Sequence, residues 1–203
     1  MFFEVLKKNF KKLLALSLLF AAFNLLSILV FLLFAQDVFS IFSQVLTIIF
    51  LICHIFVRTS VAKSIHMIYT GTTTTFNELL LYTAKVIGAY ALFFLSAAIL
   101  FALYMFFPLF IPLFALLLAL SFLTMVIGYY RIIAGEPFFK SFIPKGFDLF
   151  TLVYFFFSEL IYNGIGLFIL VGIGGAANSL GTVVMSFLTT FKIVSDYYIL
   201  LGR

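Results

Sequence analysis

Long apolar stretches, separated by short polar segments, dominate the chain from residue 13 onward. A helix that crosses a bilayer needs about 20 mostly apolar residues, because each residue rises only about 1.5 Å along the helix axis. Six stretches meet this requirement, and they cover residues 13–34, 38–57, 86–107, 109–130, 149–171 and 176–199. The pattern therefore predicts an all-α polytopic bundle with about six transmembrane helices, forming a single domain over residues 1–203. The stretch 38–57 is the most polar, and its loss would leave five spans.

Composition points to the same class of protein. The 203 residues are 66% hydrophobic and 9% charged, whereas soluble domains are roughly 45–50% apolar and about 25% charged. A soluble fold of this size could not hide so much apolar surface, so we expect an integral membrane protein whose main partner is the lipid bilayer. The net charge of +5 is better explained by basic anchors at a membrane surface than by nucleic-acid binding.

The N-terminal segment resembles a signal peptide, because four lysines between residues 7 and 12 precede an apolar run. That run covers about 22 residues, which exceeds the roughly 7–15 residues of a signal peptide. We therefore interpret it as a retained first span. Residues 2–12 allow two interpretations: an amphipathic helix at the membrane surface, with Phe3, Leu6 and Phe10 on its apolar face, or a plain basic flank.

The distribution of basic residues predicts the orientation. With the N-terminus on the inner side, the inner segments are 1–12, 58–85, 131–148 and 200–203, and they contain every Lys and Arg except Lys192. Lys192 lies near the inner end of the last span, and the only outer charge is Asp37. Basic residues collect in cytoplasmic loops, so both termini are expected on the cytoplasmic or equivalent inner side.

The inner segments also carry local structural signals. Thr75 and Glu78 have the spacing of a capping box, which predicts a helix start at residue 76. Before it, 58–70 should continue the second helix out of the membrane. Pro112 falls in the first turn of the next helix, where its missing N–H does little harm. The aromatic segment 138–142 is expected to lie flat at the inner surface.

Three segments resemble a known group of membrane proteins. They are "AKSIHMIYTGTTTTFNELL" over residues 62–80, the junction "FFPLFIP", and the loop "AGEPFFKSFIPKG" over residues 134–146, with Gly135, Ser141 and Gly146 as matching positions. The group consists of uncharacterised six-helix multi-pass proteins of plants and, more loosely, the membrane domain fused to some bacterial glycerophosphodiester phosphodiesterases. The resemblance implies a six-helix fold and supplies no catalytic residues.

Glu159 is the sharpest candidate for function. Position 149 is the inner end of its predicted span. Glu159 lies ten residues further along the helix and is therefore about 15 Å deep. An ionisable residue at that depth is costly in lipid and usually faces the interior of the bundle. One hypothesis is a functional role, either as a proton or ion relay or as a contact with a substrate. The other is a protonated or paired structural carboxyl group that ties helices together.

Polar neighbours of Glu159 can be predicted from depth along the helices. Tyr162 and Asn163 lie on the next turn, and side chains from other spans fall at similar depth: Asn24, Ser96, Ser121, Thr189 and Thr190. Lys192 is the best candidate counter-charge, with Glu159 or Asp196 as its partner. We expect the Asp196 pairing, one helical turn away, because it keeps both charges near water.

Small residues concentrate in the last third of the chain and predict close helix packing. They are Gly164, Gly166, Gly172, Gly174, Gly175, Ala176, Ala177 and Gly181. The pairs Gly172–Ala176 and Ala177–Gly181 have the small-xxx-small spacing that lets helix backbones approach closely. We expect the fifth and sixth spans to pack together there. A flexible outer hinge or a homodimer face is the alternative.

Catalytic chemistry finds little support in the sequence. Cys53 and His54 are adjacent and point apart on a helix, and no metal or phosphate-binding motif is present. Ser179 resembles a degraded nucleophile elbow, but it lies roughly 18 Å from His54 in depth. We therefore expect no enzyme, cofactor or metal. Two functions are left: an accessory or assembly subunit that packs against other membrane helices or itself, and a transporter or lipid-handling permease that uses Glu159.

Overall fold

Six long helices form the chain in a computed structural model that describes residues 2–34, 41–143, 149–172 and 179–201. They are α1 (Phe2–Phe34), α2 (Ile41–Thr70), α3 (Phe76–Phe106), α4 (Ile111–Ile133), α5 (Leu149–Gly172) and α6 (Ser179–Leu201). Single turns of 3-10 helix follow α3 and α4, at Pro108–Phe110 and Phe139–Phe142. All six helices are long and apolar enough to cross a membrane. The all-α prediction with six membrane-length helices is therefore confirmed.

The turn between α2 and α3 follows the local sequence signals. Gly71 ends α2 with a φ of 69°, a backbone conformation that glycine adopts without strain. Thr75 Oγ1 accepts a hydrogen bond from the backbone N–H of Glu78 at 3.3 Å, and Glu78 Oε2 accepts one from the N–H of Thr75 at 2.8 Å. The capping box is confirmed, as are the continuation of α2 to residue 70 and the start of α3 at residue 76.

Two other sequence predictions about helix ends have clear outcomes. Pro112 lies in the first turn of α4, as expected. Residues 2–12 belong to the same continuous helix as the first predicted span. A separate helix lying in the membrane surface would need a break before the span, so the continuous α1 favours the interpretation of this segment as a basic flank.

The buried core lies in the half of the bundle that contains the α2–α3 turn, where α2 is central and contacts α1, α3, α4 and α6. Helix α6 also packs extensively against α1, and α3 packs against α4. The largest fully buried apolar side chains are Tyr130, Tyr197, Phe155, Ile65, Ile132 and Ile133. The opposite ends of α3 and α4 are exposed: Phe106 and Leu109, for example, are 78% and 93% exposed. In the described residues, helices long enough to cross a bilayer therefore pack tightly near the α2–α3 turn and are exposed at the α3–α4 junction.

The loop after α4 packs against that helix. Arg131 Nη1 donates hydrogen bonds to the carbonyl oxygens of Ser141 and Ile143, at 3.3 and 2.7 Å. Phe142 packs directly against the backbone of Gly128 in α4. Phe139 and Lys140 of the 3-10 turn are exposed, Phe139 to 78%. Phe142 thus closes the end of the α3–α4 pair that carries this loop, and the position of the segment relative to the membrane surface stays a prediction.

Candidate functional site

Three ionisable side chains meet inside the bundle, one from α5 and two from α6. Lys192 Nζ lies 2.7 Å from Glu159 Oε1 and 2.6 Å from Asp196 Oδ2. Lys192 and Asp196 are four residues apart on α6 and therefore share one helix face. The sequence offered Glu159 and Asp196 as alternative partners, and the structure places both on the same ammonium group. We call Glu159, Lys192 and Asp196 the charge triad.

Three hydroxyl groups, one from α4 and two from α5, converge on Asp196. Tyr130 of α4 donates to Asp196 Oδ2 at 2.6 Å, and Tyr154 and Ser158 of α5 donate to Oδ1 at 3.2 and 3.4 Å. Tyr154 also forms a 2.5 Å hydroxyl pair with Ser195. Asp196 thus receives hydrogen bonds on both oxygens, which offsets the cost of removing a carboxylate from water.

The opposite side of the triad is organised by Tyr162 and Asn163, both predicted from the sequence as neighbours of Glu159. Asn163 Nδ2 donates to the backbone oxygen of Glu159 at 2.8 Å and to Oε2 at 3.3 Å. The Tyr162 hydroxyl pairs with Thr189 at 2.7 Å, joining α5 to α6. Lys192 Nζ lies about 6 Å from the rings of Tyr130 and Tyr162, at 6.0 and 5.9 Å, within the range of a cation–π interaction.

The triad is closed from its surroundings. The side chains of Glu159, Lys192 and Asp196 are 10%, 7% and 0% exposed. Two carboxylates facing one lysine can hold α5 against α6, and Tyr130 adds α4 to the contact. No group of three metal-ligating side chains occurs in the described residues.

Other polar residues that were predicted as neighbours of Glu159, because they lie at a similar depth, form contacts away from it. Asn24 Nδ2 donates to Ser186 Oγ at 3.0 Å and links α1 to α6. Ser96 bonds to the carbonyl oxygen of Phe93 in its own helix, at 2.7 Å, and lines a groove between α3 and α4 together with Ser121. Depth alone could not separate these contacts from the triad, because it does not say which way a side chain points around its helix.

The small residues that were predicted to bring α5 and α6 together also differ in their surroundings. A methyl group built on Gly166 would lie 3.0 Å from the terminal carbon of Met185, so α5 approaches α6 closely at this position. Gly164 has open space around it. Gly181 is buried in α6, and Gly172 ends α5. Ala176 and Ala177 lie outside the described residues, as do Gly174 and Gly175, so the proposed small-xxx-small pairs are not described as a whole.

The sequence did not predict three further polar residues inside the bundle. Tyr130 and Tyr154 bond to Asp196, and Arg58 lies beside Tyr129. The sequence placed Arg58 at the inner surface, whereas the structure buries its Nε atom within the bundle. Its guanidinium carbon lies 5.5 Å from the centre of the Tyr129 ring. Tyrosines near helix ends usually mark the membrane surface, so nothing in the sequence distinguished Tyr130 and Tyr154 from interfacial anchors.

His54 and Cys53 do not join the charge triad. The ring of His54 packs against Phe20 and Phe23 of α1, with centroids 5.6 and 6.4 Å apart. Cys53 is a free thiol of intermediate burial. A separate groove of about 680 Å³ between α1 and α6 is lined mostly by apolar side chains, with Lys7 at one end, and does not include the triad.

Comparisons of the chain with protein-family models, curated proteins and solved structures gave no match. The resemblance to six-helix plant proteins accordingly stays a prediction. The class of protein rests on the fold and the site: a bundle of six membrane-length helices that encloses a hydrogen-bonded charge triad.

Proposed function

We propose that this chain is a non-catalytic multi-pass membrane protein that serves as an accessory or assembly subunit, docking one face of α5 against another membrane helix. The observation that carries the proposal is the contrast between a closed charge triad and an open polar position beside it. Glu159 is buried, whereas Asn163, one turn further along α5, is exposed.

The exposed face of α5 has the spacing of a helix-docking stripe. Leu160, Asn163, Gly164 and Leu167 are all exposed, and positions i, i+3, i+4 and i+7 lie on one side of a helix. Asn163 donates its amide to Glu159, but its carbonyl oxygen accepts no hydrogen bond from any described residue. A polar acceptor facing hydrocarbon is costly, and amide side chains often form hydrogen bonds between membrane helices. Gly164 would allow close approach.

A transporter or lipid-handling permease is the alternative. It requires a route by which water or substrate reaches Glu159. The low exposure of the triad and its saturated contacts support a structural lock between α5 and α6 instead. The excess of one carboxylate over lysine in the triad is a feature that favours the permease.

Replacing Asn163 with leucine should weaken the complex about threefold, since one hydrogen bond between membrane helices contributes about 0.6 kcal/mol. The measurement is native mass spectrometry of particles extracted in mild detergent from membranes in which the chain occurs. We expect particles larger than one chain for the wild type. Gly164→Leu should weaken the complex further, because it blocks close helix approach.

Thr124→Leu is the matched control, because Thr124 is also an exposed polar residue but lies on α4. It should leave the complex unchanged. A wild-type particle of one chain, or a complex that both α5 substitutions leave intact, would rule out docking through α5. Particles composed of several identical chains would identify the partner as a second copy.

The proposed orientation places both termini and the α2–α3 turn on the inner side. Cysteine introduced at Thr73, an exposed residue of this turn, should react with a membrane-impermeant maleimide only after the membrane is opened. A matched cysteine in the N-terminal flank, at exposed Lys8, should behave identically. Both tests are made in Cys53→Ser chains. Labelling of the two positions from opposite sides would contradict the proposed topology.

A further inference from the structure

A second groove, of about 780 Å³, lies between α1 and α2 beside the α2–α3 turn. Its volume falls within the range of about 300–1,000 Å³ that is usual for small-molecule sites. The groove has an apolar floor and a polar part that consists of one lysine and three hydroxyl groups, from Lys12, Ser64, Thr72 and Thr73. No carboxylate occurs among the described residues that line it. It includes no member of the charge triad, and it is separate from the groove between α1 and α6.

Each of the two helices contributes one face to this groove, which we call the α1–α2 groove. Positions i, i+3, i+4 and i+7 lie on one side of a helix, and both helices show this spacing. The lining residues are Lys12, Ala15, Leu16 and Leu19 on α1, and Ser64, Met67, Ile68 and Gly71 on α2. Leu19 is 59% exposed, so the apolar floor extends onto the lateral surface of the bundle, where a membrane helix meets lipid.

The hydroxyl group of Ser64 is an unused donor in this groove. A serine within a membrane helix can bond back to the carbonyl oxygen four residues earlier, as Ser17 of α1 and Ser60 of α2 do at 2.9 and 2.8 Å. Ser64 is half-buried, yet its hydroxyl bonds to no described residue. A hydroxyl without a partner among apolar side chains is costly. The groove therefore presents a donor that a bound ligand can satisfy.

Lys12 brings a positive charge to the boundary between the polar and apolar parts of α1. It is the last of four lysines between residues 7 and 12, and the apolar run 13–34 begins at the next residue. Its ammonium group can therefore reach the headgroup region while its stem covers apolar surface. Lys12 forms no ion pair or hydrogen bond with any described residue. Gly71, with a φ of 69°, turns the chain after α2 and is followed by Thr72 and Thr73 on the same groove.

We infer that the α1–α2 groove binds an anionic phospholipid, with the phosphate at the polar part and an acyl chain along the apolar floor. The oxygens of a phosphate accept strong, charge-assisted hydrogen bonds from an ammonium group, and hydroxyl groups add further donors. An acyl chain on the floor is removed from competing contacts in the same way as any apolar group that is buried. A lysine without a carboxylate nearby favours a headgroup with net negative charge over a zwitterionic one. Such a lipid joins α1 to α2 and is independent of docking through α5.

General attraction by the basic segment is the competing explanation. Four lysines near a membrane surface attract anionic lipids without any built site. In that case each lysine contributes alike, and the loss of Lys11 weakens binding as much as the loss of Lys12. Lys11 is exposed and adjacent in sequence, but it does not line the groove. The two lysines therefore distinguish a site from a diffuse charge.

The test is native mass spectrometry of the purified, delipidated full chain, titrated in detergent micelles with one lipid at a time. The probes are phosphatidylglycerol, phosphatidylcholine and diacylglycerol with the same acyl chains, and the fraction of chains with one bound lipid gives the dissociation constant. We expect phosphatidylglycerol to bind most tightly and diacylglycerol most weakly. Equal binding of phosphatidylglycerol and phosphatidylcholine would overturn the anionic preference. Equal binding of all three would show a purely apolar groove, suited to a partner helix, and would overturn the inference.

Variants make the assignment specific. Lys12→Gln should weaken phosphatidylglycerol binding about tenfold, the effect of one charge-assisted hydrogen bond. Ser64→Ala should weaken it about fivefold, the effect of one neutral hydrogen bond. Lys11→Gln is the matched control and should bind like the wild type. All three should keep the wild-type circular dichroism spectrum, because none of these side chains bonds to another described residue.

A fourth variant tests the apolar floor. Ala15 lies on the floor and is exposed, so Ala15→Phe should fill the groove without disturbing the core and should weaken the binding of phosphatidylglycerol and diacylglycerol alike. The inference is overturned if Lys11→Gln weakens binding as much as Lys12→Gln. It is also overturned if Ser64→Ala and Ala15→Phe both leave the binding of phosphatidylglycerol unchanged.

Discussion

Replacing Lys192 with methionine should destabilise the protein by about 3–5 kcal/mol, the range measured when one partner of a buried ion pair is removed. The substitution leaves Glu159 and Asp196 facing each other without the ammonium that lies 2.7 and 2.6 Å from their oxygens. Neither carboxylate can turn to solvent, because their side chains are only 10% and 0% exposed. The methionine has a similar length, so packing changes little and the effect reports the lost charge.

The measurement is unfolding in dodecyl maltoside micelles titrated with sodium dodecyl sulfate, followed by circular dichroism. Lys140→Met is the matched control: this lysine is exposed in the loop after α4, and its loss should change the free energy of unfolding by less than about 0.5 kcal/mol. Glu159→Gln should have a smaller effect than Lys192→Met, since Lys192 and Asp196 still neutralise each other. A Lys192→Met chain as stable as the control would show that the triad does not hold the bundle together.

A triple variant separates charge from packing. Glu159→Gln, Lys192→Met and Asp196→Asn together remove all three charges and keep the side-chain sizes. Buried ion pairs replaced by neutral groups of similar volume are often tolerated, so the triple variant should recover much of the stability lost by Lys192→Met alone. If the three losses simply add, the groups do not interact, and the triad is three independent contacts.

The elements of the fold could be predicted from the sequence because they depend on local properties. Apolar runs of bilayer length define the six helices, and Thr75 and Glu78 define the start of α3 within a single turn. The Lys192–Asp196 contact was likewise predictable, since four residues on one helix bring the two groups together whatever the rest of the chain does. Each of these inferences needs only neighbours in sequence.

The assembled site could be predicted only in part, because it depends on the rotation of each helix about its axis. Depth placed Glu159, Ser96 and Asn24 at one level, yet they make separate contacts. Glu159 bonds to Lys192 and Asn24 to Ser186, at different positions on α6, whereas Ser96 lines the α3–α4 groove. Apolar residues surround these helices on almost every side, so the hydrophobic pattern gives little information on rotation. That is also why Arg58 was expected at the surface and Tyr130 was not expected beside Asp196.

The charge triad is connected to the exposed face of α5 through one residue pair, Asn163 and Glu159. Asn163 bonds to Glu159, which bonds to Lys192 on α6. The buried contact therefore fixes the rotation of α5, and with it the face on which Asn163 and Gly164 are exposed. A loss of the triad should then disturb docking as well as stability, whereas Asn163→Leu should affect docking and leave most of the stability intact.

Replacing Gly128 with alanine should destabilise the packing between α4 and the loop that follows it by about 1–3 kcal/mol, the usual cost of inserting a methyl group into a filled space. A Cβ atom at this position would lie 2.5 and 2.6 Å from two ring carbons of Phe142. The ring cannot move freely, because Arg131 holds the carbonyl oxygens of Ser141 and Ile143 on either side of it. The loop itself must therefore shift.

Hydrogen exchange and unfolding in micelles measure this effect together. Amides of residues 138–143 should exchange faster in Gly128→Ala than in the wild type, and adding Phe142→Ala should restore part of the lost stability by making room for the methyl group. Gly164→Ala is the control, because that position has no neighbouring atom within 4 Å and alanine favours a helix by up to about 1 kcal/mol. Unchanged exchange and stability in Gly128→Ala would mean that Phe142 does not lie against α4. In that case the loop would not close this end of the α3–α4 pair.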